Sequence, residues 1–73
     1  MYLATLIHNQ SLGCIFMCDT FEKALTKAHS IAVNTLDRDL LENELFDLEE
    51  TGEIFVAYDD DNQYTFCVAL IED

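Results

Sequence analysis

Apolar and β-branched residues dominate positions 2–8 (YLATLIH), and a polar stretch, Asn9-Gln10-Ser11-Leu12-Gly13, separates them from a second apolar run at 14–18 (CIFMC). Two short apolar runs around a turn predict a β-hairpin. Asp19-Thr20-Phe21-Glu22 then reads as a capping signal, with Asp19 or Thr20 as N-cap and Glu22 in the first turn. Behind it Phe21, Ala24, Leu25, Ala28, Ile31, Ala32 and Leu36 recur at three- and four-residue spacing. That periodicity predicts one amphipathic helix over about residues 20–35.

A second helix is expected from a cap at Thr35 or Asp37 to about residue 50, stopped by Gly52. Leu40, Leu41, Leu45 and Leu48 fall on one side of it, and Asp39, Glu42, Glu49 and Glu50 on the other. The runs 53–58 (EIFVAY) and 63–71 (QYTFCVALI) flank Asp59-Asp60-Asp61-Asn62. Two β-rich runs around a turn of Asp and Asn form the clearest hairpin in the chain. The order is ββααββ, which predicts an α+β fold: an antiparallel sheet with two helices packed on one face.

Seventy-three residues make one small domain. With 51% apolar residues and eight aromatics the chain has material for a core without a metal, and disorder is not expected. No apolar run reaches the roughly 18 residues needed to span a bilayer. The N-terminal run lacks the basic region of a signal peptide and reads as a strand. Cys14, Cys18 and Cys67 are odd in number and lie in apolar segments, as reduced, structural thiols of a cytosolic protein would.

The charge is lopsided. Residues 1–36 balance Asp19 and Glu22 with Lys23 and Lys27, whereas residues 37–73 hold thirteen carboxylates against the single base Arg38. The net charge of −12 therefore belongs to the second half. It repels nucleic acid and anionic lipid, so neither is expected as a direct ligand, and it adds self-repulsion to the compact state.

Candidate chemistry is sparse. Residues 59–63 resemble the start of a calcium loop, but Tyr64 stands where glycine is required and Leu70 where a bidentate Glu is needed. A solvated turn is the better reading. His8, Cys14, Cys18, His29 and Cys67 show no CxxC or HxxxH spacing, and Cys14, Phe16 and Cys18 alternate onto one strand face as small packing residues. Nothing marks a nucleophile elbow or a glycine-rich phosphate loop. The reading is a non-enzymatic protein with no cofactor and no metal.

The acidic surface is more informative. Helical residues three or four apart are separated by about 5–6 Å of rise, and duplex phosphates repeat every ~3.4 Å along each strand. Asp39, Glu42, Glu49 and Glu50 thus approximate a phosphate track in sign and scale, though not in register. Glu53, the turn carboxylates Asp59, Asp60 and Asp61, and the terminal Glu72 and Asp73 would extend it if they lie on the same side. Solubility alone asks for a net charge of only about 2–8. Phe46 projects between Glu42, Glu49 and Glu50, away from the leucines. A phenylalanine ringed by acids is the form of an interface anchor with a charged rim; a bend in the helix or a homodimer that buries it are the alternatives.

A tiny, acidic, proline-free α+β chain with this charged surface resembles the phage-encoded inhibitors of bacterial defence, the anti-CRISPR and DNA-mimic anti-restriction proteins. The opening YLATLIH, with Gly13 and then DTFEKA at 19–24, is similar in style to small phage and plasmid proteins over about the first third of the chain. The resemblance implies an inhibitor that blocks a nucleic-acid-binding effector, such as a Cas protein, by occupying a basic channel or helper surface. Such inhibitors share no common active site, so it assigns no residue. The expected function is therefore an acidic face that docks on a basic protein in the host cytoplasm. Two rivals stand beside it. One is a structural or regulatory interaction module, either an antitoxin-like partner or a homodimer. The other is a small thiol or metal enzyme.

Overall fold

A computed structural model describes residues 1–71; the terminal Glu72 and Asp73, and any part they play in the acidic surface, lie outside the described residues. The elements are β1 (Tyr2–His8), β2 (Ser11–Cys18), α1 (Phe21–Leu36), α2 (Glu42–Thr51), β3 (Glu53–Ala57) and β4 (Gln63–Leu70). All four strands form one antiparallel sheet in the order β2-β1-β4-β3, so the first and last strands of the chain pair in its middle. This is the α+β, ββααββ arrangement expected from the sequence.

The first hairpin is tighter than its polar stretch suggests. Only Asn9 and Gln10 form the turn, both with positive φ (50° and 70°), the mirror-image geometry whose twist matches that of the flanking strands. Gly13 lies inside β2 as the extra residue of a β-bulge: Leu6 pairs with Cys14 and Ile7 with Leu12, leaving Gly13 between them. A Cβ there would stand 3.1 Å from Cγ of Leu6. The two hairpin ends of the sheet are also tied together. The Asn9 N–H donates to the Gln63 carbonyl (2.9 Å), the Gln63 N–H donates to Asn9 Oδ1 (2.8 Å), and the Asn9 amide donates to the Asp61 carbonyl (2.7 Å).

Helix α1 starts as its capping signal requires, with Thr20 Oγ1 accepting the Lys23 N–H at 3.2 Å. Its buried stripe is Ala24, Ala28, Ala32 and Leu36, one residue every four. Three alanines in a row let the helix backbone settle close to the sheet, where Ala4 and Phe66 complete the contact. Asp37 ends α1 in the left-handed conformation (φ 55°), which Asp tolerates better than most residues.

The second helix is shorter than its periodicity predicts. It begins at Glu42, with Leu41 as N-cap, and neither Thr35 nor Asp37 caps it: Thr35 is inside α1 and Asp37 closes that helix. The cause is local. Once Asp37 has turned left-handed, residues 38–41 form a connector that drives Leu40 into the core. The Glu44 carboxylate then takes the Leu41 N–H at 2.8 Å, so the cap comes from within the helix. Leu41, expected in the buried stripe, is 58% exposed, while Leu48 is fully buried and Leu45 packs at the core's edge. Gly52 stops α2 at φ 76°, its N–H on the Leu48 carbonyl and its own carbonyl taking the Val68 N–H at 2.7 Å. A Cβ at Gly52 would come 2.7 Å from the Val68 carbonyl oxygen, so the turn depends on glycine twice over.

Strand register sorts the sheet into two faces. Ala4, Leu6, Ile54, Val56, Tyr64, Phe66 and Val68 lie under the helices and make the core with α1, Leu40 and Leu48. The alternate positions point away from both helices. Leu12, Ile15, Met17 and Phe55 on that outer face are all exposed.

Candidate acidic docking surface

Helix α2 presents its core side through Leu48 and Leu45, and two residues back at about 100° per residue Phe46 points roughly 160° away from Leu48. It is 61% exposed. Glu42 lies one turn before it and Glu49 and Glu50 one turn after, all exposed. The structure thus brings Glu42, Phe46, Glu49 and Glu50 together on one solvent-facing surface. No bend carries Phe46 into the core.

Asp39 does not continue that surface as a helical residue. It sits in the connector before α2, exposed, with its carbonyl accepting from Arg38 Nη1 at 2.9 Å. The charged row along α2 proper therefore runs only from Glu42 to Glu50, roughly 12 Å. Because Gly52 reverses the chain, β3 runs back alongside α2, and the turn of Asp59, Asp60 and Asp61 returns to the level of the helix N-terminus. Arg38, in the connector before α2, is held in its charged form chiefly by its hydrogen bonds to Glu44. Asp39 and Glu42 thus lie at the N-terminal end of α2, and the turn carboxylates at the end of the β3–β4 hairpin away from Gly52. Glu53 does not join them. It pairs with Cys67 at the start of β3, on the outer face of the sheet.

Two carboxylates in this region are engaged internally. Glu44 receives both arms of the Arg38 guanidinium at 2.9 and 3.1 Å as well as the Leu41 N–H. The Arg38 hydrogen bonds hold its carboxyl below the usual range against a desolvation that opposes them. Asp59 accepts the Asp61 N–H at 2.8 Å and the Asn62 amide at 2.9 Å, and it too is lowered, chiefly by the Asp61 N–H. That turn is knotted by its own hydrogen bonds, and Asn62 Oδ1 accepts from His8 Nε2 at 2.8 Å while the His8 ring stacks on Tyr64.

A carboxyl lowered by folding contributes stability that is present above its unfolded pKa and lost as pH falls through the folded one. Glu44→Gln should accordingly lower the melting temperature at pH 7 and flatten its decline between about pH 5 and pH 3. Thermal melts across that range are the check; an unchanged acid slope in the variant would show that the Arg38 pair contributes nothing.

Sequence reasoning passed over Glu44, whose signal was its place three residues after Leu41 and close to the one base of the acidic half. Glu42, Glu49 and Glu50 show no such side-chain partner among the described residues. Glu49 and Glu50 occupy the last turn of α2, which holds no basic residue, and there the helix dipole disfavours negative charge by about 0.3–1 kcal/mol each.

The cysteines are all free and half-buried, and none belongs to the core cluster. Cys14 and Cys18 share the helix-side face with Phe16, over which Lys27 Nζ lies 4.2 Å from the ring centroid, while Cys67 is on the outer face. Among the described residues no group of three or more His, Cys, Asp or Glu is placed to hold a metal ion, and no helix is long and apolar enough to cross a membrane.

No known family matches. Comparison with curated proteins and with solved structures likewise finds no match for this chain.

Proposed function

We propose that this chain is a non-enzymatic inhibitor or adaptor whose acidic face binds a basic, nucleic-acid-binding protein in the cytoplasm. The observation that carries the reading is Phe46, an exposed aromatic on α2 directly opposite the core and flanked by Glu42, Glu49 and Glu50. An aromatic in that setting is the central anchor of an interface, and the acids around it are the rim that steers a positive partner. The charges at the end of α2 support it, because they oppose the helix dipole and so do not serve folding. A Cas effector, as in anti-CRISPR inhibition, is the most concrete partner of this kind. Asp39, Glu42, Glu49 and Glu50 speed encounter, the turn of Asp59, Asp60 and Asp61 extends the field, and Phe46 slows release.

Immobilised protein exposed to a bacterial lysate tests this. A captured partner should bind duplex or guide nucleic acid itself, should elute when that nucleic acid is added, and should be lost as salt rises from about 0.05 to 0.5 M, where the Debye length shrinks to a few ångströms. Capture that survives both nucleic acid and salt would remove the mimic reading.

A further inference from the structure

The outer face of the sheet is the largest feature that the acidic surface leaves unexplained. Antiparallel sheets with one face in water normally alternate apolar inward and polar outward. This one does not. Leu3 and Ile7 of β1, Leu12, Ile15 and Met17 of β2, and Phe55 of β3 all point away from the helices. Met17 is 69% exposed, Leu12 63% and Phe55 61%. The only charged residue among the outward positions is Glu53, on the edge strand β3. Every other carboxylate of the described residues sits on the helices, the connectors or the β3–β4 turn. Apolar surface and charge are segregated to opposite sides of the molecule.

We infer that a second copy of this chain covers this face, packing sheet on sheet to give a four-layer dimer with the helices outside. The area fits. Four strands about 4.8 Å apart, three of them roughly 25 Å long and β3 about 17 Å, offer approximately 450 Å² of projected face per copy. Two copies therefore remove roughly 900 Å² before side-chain relief is counted, close to the about 1,000 Å² that a specific interface needs. The chemistry fits as well. A largely apolar face, with Thr5, Gln63 and Thr65 as its neutral polar members and Glu53 as its one charge, selects a partner of the same kind, and the same patch on a second copy is complementary to itself in the manner of a two-fold contact. Self-repulsion from a net charge of −12 does not oppose this geometry strongly. The acidic helix layers would be separated by both sheets, which stand about 10 Å apart, beyond a Debye length of about 8 Å at physiological salt. Glu53 lies on an edge strand, where a rim residue belongs. The arrangement also leaves Phe46 and the α2 acids free on each outer surface, so one dimer presents two acidic faces.

Sedimentation of the full chain decides the matter. The wild type should sediment at twice the chain mass at concentrations up to about 100 μM, as suits a small but specific interface. Met17→Glu and Phe55→Glu should each raise the dissociation constant at least thirtyfold, roughly the effect of an interface hot spot. Both positions are exposed in the single chain, so the variants should still fold, and circular dichroism verifies that. Added salt should tighten the dimer, opposite to its effect on the acidic face, because it screens repulsion and strengthens apolar burial. In a Cys14→Ser/Cys18→Ser background the remaining thiol, Cys67 on this face, should react with a bulky maleimide at a rate that falls with the monomer fraction. A wild-type monomer throughout that range would overturn the inference. So would a dimer left intact by both glutamates, or one broken only by Phe46→Ala. The first two outcomes leave open whether α2 binds a basic partner, whereas the third would place the self-contact on α2 and count against the anchor reading as well.

Discussion

Phe66→Ala should leave the chain unfolded at room temperature. Phe66 is fully buried on β4, one of the two central strands, and it lies between Leu6 of β1 and Ile54 of β3 in the register of the sheet. Above it the buried stripe of α1 is alanine at Ala24, Ala28 and Ala32 before Leu36 closes it, so this ring fills volume that most of the helix does not. Its ring also stacks beside Tyr64 at 6.1 Å between centroids. Truncating a buried phenylalanine costs about 3–5 kcal/mol, and a domain of this size possesses only about 3–5 kcal/mol in total. Far-ultraviolet circular dichroism and a thermal melt would show the result directly. A cooperative transition within a few degrees of the wild type would mean that α1 can sink onto the sheet and refill the space, contrary to close packing by helix backbone and alanine methyls. Phe66→Leu, which keeps most of the volume, should stay folded and report the smaller loss expected of a near-isosteric core change.

The elements that were legible in the sequence are those whose signals are local. Thr20 announces α1 through its own hydroxyl, Gly52 ends α2 through its own φ, and the alternation around residues 59–62 marks the second hairpin. Misplaced boundaries trace to residues with two readings. Gly13 resembles a turn residue because a lone glycine beside a polar stretch usually is one, yet here it serves a bulge against Leu6. Asp37 resembles an N-cap because Asp favours that position, yet it closes the preceding helix, and the cap of α2 moves four residues along the chain to Leu41. With it Asp39 leaves the helix and Leu41 leaves the core.

The two-sided character of β2 carries a different lesson. Cys14, Ile15, Phe16, Met17 and Cys18 are apolar on both faces, which in sequence reads as a strand covered on both sides. The strand order places it at an edge with only α1 over one face. That order follows from the pairing of β1 with β4, more than fifty residues apart in the chain, and no local pattern encodes it. The acidic surface was legible in its charge and in Phe46, because helix periodicity alone places them. The position of Glu53 on the other side of the sheet was not, since it depends on register.

Phe46→Ala separates binding from folding at a single position. With 61% of its surface in water the ring fills no cavity, so its loss should change the melting temperature little, within the roughly ±0.5 kcal/mol of ordinary surface substitutions. Affinity for the basic partner should fall by about 2 kcal/mol or more, which is about thirtyfold, as it does for central aromatic anchors. The loss should appear mainly in the dissociation rate, because an apolar ring contributes to residence and not to long-range attraction. Neutralising its neighbours should do the reverse. Glu49→Gln with Glu50→Gln should slow association, weaken its salt dependence, and at the same time raise stability slightly by relieving the end of the helix dipole. Surface plasmon resonance against the captured partner, alongside thermal melts of each variant, reads both quantities. An unchanged dissociation rate in Phe46→Ala would remove the anchor. A slower association in that variant with no change in the Gln pair would place the contact on the aromatic edge and not on the charge.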